Sequence, residues 1–260
     1  MLVVVHEDYD AMSKRGAEIV ASRIRQKPNL VLGLATGSSP LGLYKELIRL
    51  HKNDGLDFSK VVTFNLDEYI GLPPEHDQSY HYFMRENLFK HINVNPSHVY
   101  IPQGMYGDLK ISSFETEPKI EQFCRWYEDE MRKYGGIDMQ ILGIGGNGHI
   151  AFNEPGSSLG SRTRIKTLTE KTVRDNSRFF KNTKDVPRYA ITMGVGTIME
   201  SKELLLLANG DGKADAVKSA VEGPVTAMCP GSAMQLHRKA IILIDKKAAA
   251  KLSAEFVTYG

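Results

Sequence analysis

Cysteine is scarce: Cys124 and Cys229 are the two in 260 residues. A pair so far apart in sequence makes neither a disulfide framework nor a metal cluster, and a reducing cytoplasm is the expected setting. Long apolar runs are missing. None approaches the roughly 20 residues that a membrane-spanning helix requires. The opening MLVVV is too short for a secretory leader, and acids follow at once. Neither sign of charge dominates. With Lys and Arg at 33 against Asp and Glu at 31, the net charge is +2. Nothing therefore steers the chain toward nucleic acid or a membrane surface. Internal repeats, linkers and low-complexity segments are also lacking, so residues 1–260 are expected to form a single domain. What is present is a hydrophobic content of 42%. That is enough for a substantial core and too much for a disordered chain.

Apolar runs read as strands at 2–5, 30–35, 61–66, 99–102, 137–144, 188–193, 204–208 and 240–244. Between them, helical spacing marks Ala11 to Gln26, Leu41 to His51, Ser79 to His91, Pro118 to about Tyr134, Glu170 to Phe180 and Lys213 to Val221. Ser232 to His237 reads as a short helix, and Ala248 to Tyr259 has helical spacing as well. Gly104 to Glu117 is polar and irregular, an insertion or mobile surface loop. Ser157 to Leu168 is basic and turn-rich. The alternation predicts an α/β fold: an open, mostly parallel, Rossmann-like sheet of about seven strands with helices on both faces.

The stretch Gly143 to Ser158, GIGGNGHIAFNEPGSS, follows the run 137–144 and presents Asn147, His149, Asn153 and Glu154 within a few residues. Polar turns beyond strand ends are where open α/β sheets carry their chemistry. The glycines formally match the dinucleotide fingerprint G-x-G-x-x-G. That motif requires a helix next, and Pro155 and Gly156 break the chain instead. The glycines are better read as allowing a tight turn and close approach to a ligand. Histidine is the side chain that shuttles protons near neutral pH, and a carboxylate such as Glu154 beside His149 can hold and tune the ring. The plain alternative is a buried hydrogen-bonded pair. No H-E-x-x-H or comparable ligand spacing is present.

Two further turns belong with it. Thr36-Gly37-Ser38-Ser39 precedes a helix and offers hydroxyls and backbone N–H groups to a phosphate. An ordinary helix cap is the competing reading. Asp67-Glu68 ends the run 61–66, where a carboxylate is placed to remove a proton beside a carbonyl. Capping and surface pairing is the bland alternative. Among the cations Arg162, Arg164, Lys166, Arg174, Arg178 and Lys213, the last stands at a helix start and can reach a phosphate.

Together these stretches resemble the glucosamine-6-phosphate deaminase family. The matching pieces are LGLATGSSPLGLY, VVTFNLDEYIGL, SYHYFM, LGIGGNGHIAFNEPGSSL, SRTRIKTLT, NSRFF, MGVGTIM and QLH, in order over nearly the whole chain. The resemblance implies conversion of glucosamine 6-phosphate to fructose 6-phosphate and ammonia, with no organic cofactor and no catalytic metal. It assigns Asp67 as the base between C2 and C1, and His149, oriented by Glu154, to ring opening. Asn147 stands where many members carry aspartate. It can accept a hydrogen bond from the ring but cannot stabilise imidazolium by charge, so His149 is expected to be less basic than beside aspartate. Thr36, Gly37, Ser38 and Ser39 match the substrate loop, and Arg178 and Lys213 match phosphate-binding positions. Ser157, Arg164, Lys166 and Tyr259 match an allosteric site for N-acetylglucosamine 6-phosphate in hexameric members, which implies a homo-oligomer, a hexamer favoured. A 6-phosphogluconolactonase on the same scaffold and a non-catalytic sugar-phosphate sensor domain are the rival readings. FNLDEY and NEPGSS speak against the first, and the lack of a DNA-binding helical module against the second.

Overall fold

A computed structural model describes residues 1–106, 116–177, 180, 182 and 185–259. In chain order the strands are β1 (Leu2–His6), β2 (Val31–Leu34), β3 (Val62–Asn65), β4 (Asp67–Tyr69), β5 (Val99–Tyr100), β6 (Met139–Gly143), β7 (Arg164–Thr167), β8 (Tyr189–Thr192), β9 (Glu203–Ala208), β10 (Ala240–Asp245) and β11 (Val257–Tyr259). The α-helices are α1 (Tyr9–Gln26), α2 (Leu41–Asp54), α3 (Tyr80–Asn87), α4 (Thr116–Lys133), α5 (Glu170–Ser177), α6 (Val195–Met199) and α7 (Ala214–Val221). Of the expected polar loop at 104–117, residues 107–115 lie outside the described residues, and Thr116 and Glu117 already belong to α4.

Eight strands form one sheet in the order β11-β1-β10-β9-β6-β2-β3-β5. Every neighbouring pair is parallel. The cause is legible in the strands. LVVVH, ELLLLA and AIILID are apolar at successive positions, so both faces must be covered, and only helical crossovers do that. Leu204 to Ala208 and Ile242 to Ile244 are accordingly buried.

Three expectations are corrected. The run 188–193 does not join the main sheet. Its residues Tyr189–Thr192 lie between β4 and β7 in a separate antiparallel sheet of three strands. Asp67-Glu68 is not a turn after a strand but the start of β4, and the basic stretch 157–168 contains β7. The end of the chain is not helical. The N–H groups of Ser253 and Ala254 are taken by Glu222 on the residue after α7, at 2.7 and 2.8 Å. The chain then pairs with β1, Tyr259 in register with His6. The apolar spacing of Ala248, Leu252 and Phe256 suits a helix, but this tertiary pairing prevails. The short helix α6 is an element that the apolar pattern did not signal.

Chain order in the main sheet rises outward from the junction of β6 and β2, through β9 and β10 on one side and β3 and β5 on the other, with β1 placed beyond β10. That junction is the topological switch point, where the loops leaving the two strands part and open a crevice beyond their carboxyl ends.

Candidate active site

A cavity of about 490 Å³ occupies this crevice. The loop after β2 supplies Thr36, Gly37, Ser38 and Ser39 to its wall; β4, one residue beyond β3, supplies Asp67; the loop after β6 supplies Gly145 and His149; and the turn after β9 supplies Lys213. Four segments, from 36 to 213 in sequence, thus meet beyond the ends of β9, β6, β2 and β3, which are adjacent in the main sheet.

Each segment has a local reason for its shape. Gly37 has φ of +94°, a left-handed conformation that glycine adopts without strain. Among the described residues, the N–H groups of Gly37, Ser38 and Ser39 enter no hydrogen bond, so they stand as donors at the start of α2. At Gly145 the requirement is space. A Cβ there would lie 2.1 Å from the His149 ring, so the imidazole folds back over bare backbone. Gly145 N–H donates to the His149 carbonyl at 2.8 Å and closes the turn. Ala151 lines the cavity with φ of +51°, strained for a residue with a side chain.

The His149 ring has a chain of partners behind it. Its Nδ1 lies 2.6 Å from Asn147 Oδ1, and Asn147 Nδ2 donates to Glu154 Oε2 at 2.8 Å. Nδ1 is 3.8 Å from Glu154 Oε2 itself. A carboxylate accepts only, so the amide must turn its NH2 to Glu154 and its oxygen to the ring. Nδ1 then donates, and in neutral imidazole Nε2 is left as the acceptor. The ring is therefore oriented by Asn147 directly and by Glu154 through it.

Asp67 is 6% exposed. Burial, and secondarily the charge of Glu68, holds its carboxyl well above the usual carboxylate range. Glu68 is fully buried and faces elsewhere. Its carboxylate accepts from the N–H groups of Tyr69, Tyr80 and His81 at 2.8, 3.0 and 3.0 Å, and meets His81 Nδ1 at 2.9 Å. With the Ser79 cap on Tyr82 N–H at 3.0 Å, it secures the start of α3.

Sequence reasoning named no role for the aromatic wall. Tyr69, Tyr80, Phe152 and Phe180 line the cavity together. Tyr80 and Phe152 stack at 6.0 Å with 4° between planes, and Tyr69 lies 5.0 Å from Tyr80. Tyr80 hydrogen-bonds Tyr69 and Thr36, and burial pushes its phenol well up, with Tyr69 and Asp67 adding to the effect. The available signal was SYHYFM following FNLDEY, but nothing in the spacing told that the rings would turn inward.

The remaining candidates are distributed. Arg178 lies outside the described residues. Ser157 is buried beside Glu154, its N–H donating to the Glu154 carbonyl at 3.0 Å. Arg164 and Lys166 stand on β7, both lowered chiefly by burial; Arg164 lowers Lys166 further and Glu154 opposes. Tyr259 is on β11, the outer strand of the other sheet. Among the described residues, no three His, Cys, Asp or Glu side chains gather as a metal site, and no helix is long and apolar enough to cross a membrane.

A parallel sheet with a buried carboxyl, an oriented imidazole and a loop of unpaired N–H groups at its switch point defines an enzyme of the open α/β class. The family described as glucosamine-6-phosphate isomerases/6-phosphogluconolactonase matches residues 6–243. Glucosamine-6-phosphate deaminase of Thermoanaerobacter sp. (strain X514) is 52% identical over 98% of this chain and 96% of its own. That of Clostridioides difficile (strain 630) is 49% identical over 97% of each. The solved structure of a monomeric glucosamine-6-phosphate deaminase superposes with a TM-score of 0.89 at 43% identity, covering 96% of this chain and 100% of that one. The 6-phosphogluconolactonase of Leishmania guyanensis, at 19% identity and a TM-score of 0.74, shares the fold. The chain belongs to the glucosamine-6-phosphate deaminase family.

Proposed function

We propose that this enzyme converts D-glucosamine 6-phosphate and water to D-fructose 6-phosphate and ammonia. The observation that carries the reading is convergence: Asp67, His149, the Thr36–Ser39 loop and Lys213 line one cavity. The phosphate sits on the N–H groups of the loop and on Lys213, with Arg178 as a further cation. His149 Nε2 takes the proton of the anomeric hydroxyl and passes it to the ring oxygen as the C1–O5 bond breaks, and Asn147 and Glu154 hold the imidazole for it. Asp67, ionised by then, takes the proton from C2 while the C2 ammonium gives a proton to the C1 oxygen, forming an enolamine. Asp67 then returns its proton to C1, which leaves an iminium at C2. Water adds to C2, its protons pass to nitrogen, and the C2–N bond breaks to release ammonia and leave the C2 ketone of the product. The raised carboxyl of Asp67 suits it to carbon acids, since a base works best with its proton affinity near the operating pH. Every step is acid–base chemistry, which asks for no cofactor or metal.

The test is release of ammonia and fructose 6-phosphate in one coupled assay. Asp67→Asn is expected to suppress exchange of the C2 hydrogen with solvent while leaving substrate binding largely intact. Ammonia release also separates this reading from a lactonase or a silent sensor. We place the enzyme in the cytoplasm as a single-domain chain that works on sugar phosphates. A homo-oligomer with Ser157, Arg164, Lys166 and Tyr259 at a regulatory site completes the proposal. The solved relative at 43% identity is described as monomeric. A sedimentation mass equal to one 29.0 kDa chain, and a rate indifferent to N-acetylglucosamine 6-phosphate, would end that last part.

A further inference from the structure

We propose that Tyr9, which lies outside the cavity, is the positioning residue that holds the Thr36–Ser39 loop in its anion-accepting shape. Its hydroxyl donates to the Ser38 carbonyl at 3.0 Å and accepts from Gly42 N–H at 2.7 Å. One side chain therefore spans the loop and the first turn of α2. That helix has Pro40 at its N-cap and no side-chain cap of its own. Tyr9 takes the place of the missing cap from a neighbouring helix, and it consumes the Gly42 donor while the N–H groups of Gly37 to Ser39 stay available.

The grip on Ser38 has a directional consequence. In a planar trans peptide the C=O and the following N–H point opposite ways. Fixing the Ser38 carbonyl toward Tyr9 turns Ser39 N–H away from Tyr9, on the side where Ser39 borders the cavity. The far side of the loop is fixed as well, because Ser39 Oγ donates to Asn209 Oδ1 at 3.1 Å. The next N–H along, that of Gly210, is held by Asp245 at 3.0 Å.

The approach of α1 to α2 is built for this contact. A Cβ on Gly42 would lie 2.3 Å from Ser13 Oγ and 3.0 Å from Tyr9 Cε1. Tyr9 itself is the first residue of α1, whose start is set by Asp8 accepting from Ala11 N–H at 2.8 Å. The hydroxyl is therefore delivered to the loop from a fixed helix end rather than from a wandering side chain.

This inference rests on the reading that the loop receives the phosphate end of the substrate. Tyr9→Phe keeps the ring and removes both hydrogen bonds. The expected result is a rise of about fivefold in KM for glucosamine 6-phosphate, matched by the same rise in the inhibition constant of inorganic phosphate, with kcat within about twofold; the low end of the net worth of two hydrogen bonds sets that scale. Gly42→Ala, whose Cβ would press on Ser13 first and also crowd Tyr9, is expected to move both constants the same way. A general loss of fold would lower the melting temperature and the active fraction instead, leaving KM in place. Unchanged KM and phosphate affinity in Tyr9→Phe, or a fall in kcat alone, overturns the inference. Should the wild type release no ammonia, calorimetry with inorganic phosphate on wild type and Tyr9→Phe still decides. Weaker binding in the variant keeps Tyr9 in its role while the reaction assignment fails, and equal binding removes Tyr9.

Discussion

Asp67 is a charged group placed where charge is costly. Its folded-state proton affinity is raised by burial and by Glu68. It therefore favours folding only below the ordinary carboxylate value, and that contribution is lost as pH rises. At neutral pH the ionised form opposes folding. Asp67→Asn is expected to melt higher by on the order of 1 kcal/mol, roughly 2–4 °C, while losing activity, as thermal unfolding at neutral pH would show. For the same reason the acid limb of the activity profile should lie above the ordinary carboxylate range. Asn147 illustrates what the residue list missed. The expectation that aspartate would make His149 more basic follows from charge alone. The structure adds that position 147 touches Glu154 at 2.8 Å. Asn147→Asp would set two carboxylates against each other, and one proton would be shared between them. The expected result is a smaller upward shift of the His149 titration by NMR than in the double variant that also carries Glu154→Gln. Equal shifts in the two would remove the coupling.

At the scale of elements, α3 is tied to the site by one buried carboxylate. Glu68 gathers three backbone N–H groups and His81, so it fixes where Tyr80 enters the cavity. Glu68→Gln turns an amide NH2 toward donors, which should cost about 2 kcal/mol in chemical denaturation. It also removes the charge beside Asp67, so the acid limb of activity should move to lower pH; an unmoved limb would show that Glu68 acts on packing alone. The elements themselves were legible where periodicity was strong. α1, α2 and the apolar strands matched within a few residues, because burial on one or both faces is written in the sequence spacing. β4 and β7 were missed because DEY and RIKT are short and each holds one large apolar residue, too few to establish a period. They are strands because β8 pairs with both, and pairing between distant segments leaves no local trace.

Across the whole molecule, two buried carboxylates act as clamps away from the chemistry. Burial opposes the ionised form of Glu128, but hydrogen bonds from Thr197, Thr163 N–H and Arg162 outweigh it and lower its carboxyl. At the amino ends of the strands, burial likewise opposes Asp138, and Lys202, Lys27 and Val31 N–H outweigh it. Lowered carboxyls stabilise the fold above their unfolded values, near pH 4, and that stabilisation is lost as pH falls through the folded values. Glu128→Gln is expected to cost about 3 kcal/mol at pH 7 and far less near pH 3, by denaturant titration at the two pH values. Sequence by itself determined the α/β class, the parallel core and the motif segments, since these follow from composition, spacing and turn chemistry along the chain. It was the tertiary structure that decided the second sheet, the strand made from the last residues, the aromatic wall, the order His149–Asn147–Glu154 and the reach of Tyr9 to Ser38. All but the His149–Asn147–Glu154 chain are contacts between residues distant in sequence, and that chain depends on the loop after β6 folding back over Gly145. Such contacts are selected by the packing of the whole chain, where one geometry satisfies buried polar groups that many local sequences would leave open.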